Sequence, residues 1–314
     1  LKDPKGFDEF YPEGADVVCP VQTWSDDFSM AVNGIPSLVN EFSSGSFMET
    51  HYHSQFDDDT SYDGRIYSFH HRLYLRLLLA FDRCALPPMD FSTRVRRLMR
   101  SLKGESLEMP EAAEFFKAAE TAEETAEELY DMICAVNDSK QPEERENVAG
   151  VVILDAFKFC EDSFVALDWY EKSVFPHENP QKNIEYMQRA VAALEEGDAD
   201  GAKCAMVEVD DNSYAEAFAR GVTSYFTARA LTDSGSWGSG RLTGHIDLFG
   251  VMRAVMEKSR QENADFTFEK EELTVKIAVE KKNLRYIIEA ETARLKKLTQ
   301  KLQGAIVAVE ALNR

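Results

Sequence analysis

The last segment of the chain, from Glu269 to Leu312, reads EKEELTVKIAVEKKNLRYIIEAETARLKKLTQKLQGAIVAVEAL. Apolar residues recur through it at steps of three, four and seven residues without interruption. Such steps keep one face of an α-helix apolar, and they predict a single helix of more than about forty residues. We expect this helix to be either a coiled-coil-like hairpin arm or the spine of a bundle. Its apolar positions are Leu273, Ile277, Leu284, Ile288, Leu295, Leu298, Leu302 and Ile306.

The rest of residues 106–314 also has the periodicity of helices. Gly197, the loop 232–244 and Asn263-Ala264-Asp265 separate the apolar-periodic stretches. This region is therefore predicted to be entirely helical. The further predicted helices are Pro110–Val136, Glu143–Lys172, Pro180–Glu196, Tyr214–Leu231 and Leu242–Ser259.

Residues 1–105 have a mixed pattern. Short apolar runs at Asp16–Thr23 and Ser37–Phe42 are typical of strands, and a brief helix between them is expected to end near Asn33-Gly34. This order implies a parallel crossover within a wider sheet. Helices are predicted to follow at about 61–84 and 91–102. The sequence thus predicts a mainly α fold with a small α/β part.

The chain is strongly acidic, with 56 Asp plus Glu against 35 Lys plus Arg and a formal net charge of −21. Phosphate backbones and anionic membrane surfaces need clustered cations, so we expect no nucleic acid and no membrane among the partners. No run reaches the ~18 uninterrupted apolar residues of a membrane span, and no charged-then-apolar leader opens the chain. Because the first residue is Leu1, a leader encoded upstream would not be visible.

The five cysteines are odd in number, widely spaced and without a C-x-x-C pair. This pattern favours reduced, mostly buried thiols over a disulfide framework. It is compatible with the cytoplasm but does not identify the compartment. The residues are Cys19, Cys84, Cys134, Cys160 and Cys204.

A histidine-rich turn is the main candidate site. In His51-Tyr52-His53 two histidines flank an aromatic residue, and Asp57 lies four residues after the second histidine. Imidazole is a good zinc ligand, but a single one cannot fill a tetrahedral shell. Asp57 either orients the imidazole of His53 or caps the helix that follows, whereas for Asp59 we expect the cap.

Several runs within residues 24–91 resemble the co-catalytic zinc peptidases of the aminopeptidase, glutamate carboxypeptidase and transferrin-receptor group. The segment 85–91 is similar to the chain that leaves the catalytic domain of this family. Residues 240–247 are a weaker match to a Gly-rich loop in its helical dimerisation domain. The likeness is specific around residues 24–91 and loose beyond 106. The matching runs are Trp24-Ser25-Asp26-Asp27-Phe28, Gly34-Ile35-Pro36-Ser37 and Tyr52-His53-Ser54-x-x-Asp57.

The resemblance implies roles for individual residues. His53 would ligate one of two zinc ions, and Tyr52 would face the substrate beside it. The family's other motifs, an upstream His-x-Asp, a Glu base beside a Glu ligand and a further Asp, would precede residue 1. In the family a loop corresponding to 232–244 approaches a neighbouring active site. Trp237 or Arg241 is therefore a candidate substrate contact, and the alternative is a plain interhelical loop.

The function implied is that of a zinc-dependent exopeptidase, which hydrolyses a peptide substrate near one end. Residues 1–105 would be the C-terminal part of its α/β domain, and residues 106–314 a helical dimerisation-like domain. This chain alone is expected to be inactive and to hold no zinc stably. The alternative is a non-catalytic receptor-like or scaffold protein with the same fold, and a third possibility is a helical assembly module unrelated to peptidases.

The chain is also expected to form a homo-oligomer. The apolar stripe of the last helix is longer than a compact bundle needs, which indicates a partner helix, and unpaired strand edges favour pairing between chains. The net charge of −21 opposes this association. Since salt shortens that repulsion to ~8 Å at physiological ionic strength, association is expected to strengthen as salt rises.

Overall fold

The protein is mainly helical, as predicted. The computed structural model describes residues 7–11, 23–38, 47–139, 148–232, 240–261 and 263–313. The first part of the chain contains one long helix, α4, with short helices before it. The bounds are α1 Phe7–Phe10, α2 Asp26–Val32, α3 Phe47–Thr50, α4 Gly64–Asp82 and α5 Ser92–Ser101, with a 3₁₀ turn at Asp59–Ser61.

The second part forms a helical body with one two-stranded antiparallel sheet among its described residues. Short 3₁₀ turns at Gly104–Glu108 and Ala311–Asn313 lie at its two ends. The bounds are α6 Pro110–Ser139, α7 Val148–Phe164, β1 Ala166–Leu167, β2 Ser173–Val174, α8 Glu178–Glu195, α9 Ala199–Val207, α10 Tyr214–Ala217, α11 Arg220–Thr232, α12 Phe249–Lys258 and α13 Thr267–Glu310.

Helix α13 is the spine of this body. It runs for 44 residues and packs along α6, α7 and α8. All eight apolar positions that the sequence assigned to its inner face are buried. The prediction of a helix longer than forty residues is confirmed, and its packing on three helices corresponds to the bundle spine rather than to a projecting arm.

Helix α6 approaches α13 through small side chains. Pro110 stands at its first position, where the missing N–H costs no helical hydrogen bond. Glutamates occupy much of its outer surface, which places the acidic stretch of the sequence in solvent. Alanines recur along its inner face, and because an alanine projects little beyond the backbone, the two helices pack closely. The fully buried alanines are Ala119, Ala122 and Ala126, with Phe115 before them and Leu129 and Ile133 after them.

The predicted helix Glu143–Lys172 is wrong at its C-terminal end. Helix α7 stops at Phe164, and a hairpin follows in which Ala166 pairs with Val174. Its turn is held by Asp168, whose Oδ1 accepts hydrogen bonds from the N–H groups of residues 170 and 172 at 3.0 and 2.9 Å. Local side chain-to-backbone bonding of this kind competes with helix continuation.

Two other helix predictions also need correction. The predicted helix Tyr214–Leu231 is interrupted near Phe218 and forms α10 and α11, and α9 was not predicted. The predicted helix Leu242–Ser259 begins only at α12, because residues 241–248 are not helical. Asp210 and Asn212 hold that segment by accepting hydrogen bonds from the N–H groups of residues 246 and 248 at 2.8 and 3.0 Å.

The expected α/β part is described incompletely. The predicted strands Asp16–Thr23 and Ser37–Phe42 lie almost wholly outside the described residues, so the parallel sheet stays a prediction. The brief helix between them is confirmed as α2, and Gly34 after it has the expected left-handed φ of 92°. Helix α5 packs against α6, and the domain boundary at residue 105 also stays a prediction.

Two expectations from the sequence, one about membrane spans and one about cysteines, can be compared with the structure. Among the described residues, no helix has both the length and the apolar character required to cross a bilayer. Of the four cysteines described, Cys160 is buried, Cys84 and Cys134 are half-buried and Cys204 is exposed, so the expectation of mostly buried thiols is wrong for them. Burial raises the pKa of the Cys160 thiol to about 12, which keeps it protonated and unreactive at neutral pH.

Candidate functional site

The Tyr52-His53 turn lies on the surface, directly after α3. Helix α3 thus lies between the predicted strand Ser37–Phe42 and this turn in the sequence. The Tyr52 and His53 rings contact each other with centroids 4.0 Å apart, and both side chains are exposed. Ser54 closes the turn, since its N–H and its hydroxyl both donate to the carbonyl of His51, at 3.0 and 2.7 Å.

His53 has a left-handed backbone, with φ of 56°. A non-glycine residue in this region is uncommon, and histidine is among the residue types enriched there. Such conformations cost free energy and are enriched at binding and active sites, and four other described non-glycine residues, Asp210 among them, adopt them as well. The turn presents its imidazole to solvent, where a ligand from outside the described residues has access.

The acidic run after the turn mainly caps helices. Asp58, not Asp59, forms the cap of the 3₁₀ turn by accepting from the hydroxyl of Thr60 and from its N–H, the latter at 2.9 Å. The hydroxyl and then the N–H of Thr60 lower the pKa of the Asp58 carboxyl. Asp63 caps α4 by accepting from the N–H of Arg65 at 2.8 Å. Asp57 is exposed, and its expected action on His53 stays a prediction.

Zinc does not fit the described residues on their own. A structural or catalytic site needs at least three protein ligands around the ion. Within the described part of the chain, no three side chains of His, Cys, Asp or Glu are grouped closely enough to hold a metal. His53 therefore provides one donor of suitable chemistry, and no reaction step can be assigned to zinc here.

The structure bears differently on Trp237 and Arg241, the two loop residues predicted as substrate contacts. Trp237 lies outside the described residues. Arg241 directs its guanidinium into the chain, with its side chain only 13% exposed. It donates to the carbonyls of Glu161, Val165 and Val32, the last two at 3.1 and 3.3 Å, and pairs with Asp162 at 3.0 Å. These bonds join the end of α7 to α2, and a substrate contact by Arg241 stays a prediction.

A buried relay of three side chains was not predicted. His177 stands just before α8, and its Nδ1 lies 2.8 Å from Oε2 of Glu291 on α13. Its Nε2 lies 2.9 Å from the hydroxyl of Ser101 at the end of α5. The order serine, imidazole, carboxylate is that of a hydrolase triad. However, His177 and Glu291 have no exposed side-chain surface, so no substrate reaches the imidazole, and the relay ties three helices together.

A second buried polar centre surrounds Asp210. Its Oδ1 accepts hydrogen bonds from the amides of Asn179 and Asn183 at 2.7 and 2.9 Å. Burial nevertheless raises the pKa of the Asp210 carboxyl, and the negative charge of Asp210 contributes to the raised pKa of Glu280 on α13. Asp210 has a left-handed φ of 47°. This centre holds residues 241–248 against α8.

The relay and the polar centre have one signal in common that sequence reasoning missed. Glu280 and Glu291 occupy the inner face of α13, in phase with Ile277, Leu284 and Ile288. A carboxylate in an apolar stripe must find a buried partner or change its pKa. Read in this way, Glu280 and Glu291 each indicate a buried polar site, although neither identifies its partners.

Comparisons with known protein families, with characterised proteins and with solved structures found no match for this chain.

Proposed function

We propose that the chain is the C-terminal portion of a zinc-dependent exopeptidase, which hydrolyses a peptide bond near the end of its substrate. His53 supplies one zinc ligand, and Tyr52 lies beside it toward the substrate. The single observation that carries the proposal is the Tyr52-His53 turn, in which a left-handed backbone holds an exposed imidazole against a tyrosine ring. The remaining ligands come from protein outside these 314 residues.

The exposure of the turn supports this assignment over a packing role. A histidine that serves packing is buried and satisfied, as His177 is. His53 instead faces solvent on a turn that is closed by its own hydrogen bonds. The side chain is thus placed where a second part of a protein can complete its coordination.

The test uses the product of the whole gene that contains this chain. Purified protein should hydrolyse aminoacyl or peptide chromogenic substrates and hold two zinc ions per chain. His53→Ala should lower the zinc content and reduce hydrolysis at least ~100-fold, since removing a ligand disrupts the paired site. The matched control is His71→Ala on α4, an exposed histidine that should change neither quantity.

Two outcomes would refute the proposal. One is a full-length protein that contains no zinc and hydrolyses none of these substrates, as a scaffold with the same fold would behave. The other is hydrolysis that survives His53→Ala unchanged. The 314-residue chain assayed alone with added zinc should show only background hydrolysis and retain less than one zinc after dialysis.

A further inference from the structure

The outer face of α13 carries an apolar stripe that its own chain does not cover. Four large apolar residues on it are highly exposed: Phe268 by 63%, Val275 by 61%, Val279 by 64% and Tyr286 by 70%. Two exposed charged residues, Glu272 and Lys282, lie between them. We call these six residues the outer stripe of α13.

The outer stripe lies directly opposite the core. At ~100° per residue, all six positions fall within about 40° of the direction opposite to the buried Ile277. Their spacing of four, three, four, three and four residues is that of the a and d positions of a coiled coil. Helix α13 thus has two apolar faces in its first half, of which the inner one packs on its own chain.

The order of residues in the outer stripe is self-complementary. From Phe268 to Tyr286 it reads aromatic, Glu, Val, Val, Lys, aromatic. When two copies are placed antiparallel about a two-fold axis at position 277, Val275 faces Val279 of the second copy. Phe268 then faces Tyr286 of the second copy, and Glu272 faces Lys282 of the second copy, each pair occurring twice. In a parallel alignment in register, Glu272 would face Glu272 of the second copy and Lys282 would face Lys282, so that like charges would repel.

The charges beside the stripe are compatible with this pairing. Residues 267–287 contain five Lys or Arg and four Glu, a local charge of +1 in a chain of −21. On one flank Glu271 comes near Arg285 of the second copy, an exposed cation that also pairs with Glu111 in its own chain. On the other flank Lys276 comes near Lys276 of the second copy, and the repulsion between these two like charges opposes pairing. The outer stripe therefore lies in a segment with little net charge, and the repulsion between two copies is weaker there than the net charge of the whole chain suggests.

We propose that two copies of this chain associate through antiparallel pairing of the outer stripes of their α13 helices. Two aromatic and two valine side chains per copy bury on the order of 500 Å², or about 1,000 Å² in total, which is at the lower limit for a specific interface. The dimer is therefore expected to dissociate in the micromolar range. This inference does not depend on the proposed peptidase activity.

The first test is sedimentation of the chain between about 1 and 100 µM at physiological salt. The unmodified chain should shift from monomer to dimer across this range. Val279→Glu places a carboxylate on the apolar centre and should weaken dimerisation at least ~100-fold. Val307→Glu is the matched control, because Val307 is 65% exposed on the same helix but lies outside the paired segment, and it should dimerise like the unmodified chain.

The second test reads the antiparallel register. Glu272→Lys and Lys282→Glu should each weaken dimerisation about tenfold, because each brings like charges together at two places. The double variant restores both opposite-charge pairs and should restore dimerisation. All these positions are exposed, so circular dichroism should show unchanged folding. A monomer at 100 µM, a dimer unaffected by Val279→Glu, or a charge swap that does not recover would each overturn the proposal.

Discussion

The part of the chain up to α4 and the helical body after it differ in what they bury. Helix α4 has 19 residues and buries two of them, Phe69 and Leu73, whereas α13 has 44 residues and buries fifteen. The motif with a chemical interpretation, Tyr52-His53, lies in the first part, on an exposed turn. The comparison shows that the residues which stabilise this chain and the residues proposed for its chemistry lie in different places.

Among the described residues, one contact between the two parts is formed by α2 and α7. Helix α2 buries Ala31 and Val32 against α7, and Gly34 runs close beside Lys158, leaving no room there for a Cβ. Arg241 adds hydrogen bonds to both sides of this contact. The segment up to α4 is therefore expected to be separable from the body by a change that leaves most of the core intact.

The largest expected effect is a cavity in the body. Leu295→Ala removes a fully buried side chain from the spine and should lower the free energy of unfolding by about 2–5 kcal/mol. Leu78→Ala, at a site 66% exposed on α4, should change it by less than about 0.5 kcal/mol. Urea unfolding of both variants measures the difference. Equal losses would mean that α4 is part of the same cooperative core.

A smaller effect is expected at the contact between the two parts. Arg241→Ala leaves the carbonyls of Val32 and Val165 without this donor and should cost about 1–3 kcal/mol. It should also speed tryptic cleavage within residues 65–83, since the first part is released from α7. The control is Arg220→Ala, which removes an exposed ion pair to Asp247 and a cation–π contact with Phe249, both away from α2. Unchanged cleavage in Arg241→Ala would show that this residue does not hold the two parts together.

The smallest effect concerns charge inside the body. Burial and the negative charge of Asp210 raise the pKa of Glu280 above its ordinary value of 4.5. The ionised carboxylate therefore costs stability above its folded pKa, and this cost disappears as pH falls toward 4.5. Glu280→Gln should raise the urea midpoint at pH 8 and match the unmodified chain near pH 4.5.

The exposed Glu289→Gln on the same helix is the control for this pH dependence. It should change the urea midpoint little at either pH, because an exposed carboxylate keeps its hydration. A gain in Glu280→Gln that is equal at pH 4.5 and pH 8 would mean that ionisation of Glu280 is not its cause.

Local periodicity was enough to predict the spine of the fold. The inner face of α13 was assigned correctly because its apolar residues recur at steps of three, four and seven along the whole helix and so share one face. The ends of other helices could not be assigned in this way. After helix α7 a turn is held by Asp168, and Arg241, 76 residues away from Val165, binds carbonyls at the helix end; this second partner leaves no trace in the local sequence.

The candidate site could be predicted only in part. A short motif identified the Tyr52-His53 turn, and the structure places both side chains on the surface. The relay of Ser101, His177 and Glu291 joins residues 76 and 114 positions apart, so spacing could not reveal it. Its one local signal is Glu291, a glutamate on the apolar face of α13. Such a residue indicates that a buried partner exists but does not identify which residue it is.

Hydrogen–deuterium exchange resolved by segment tests the separation of stability from the proposed chemistry most directly. Amides of α13 between residues 284 and 302 should exchange slowest, at a rate set by global unfolding. Amides of α4 and of the turn 51–57 should exchange at least ~100-fold faster, through local opening. If α4 were as protected as the middle of α13, the chain would unfold as one unit, and the account of two unequal parts would be wrong.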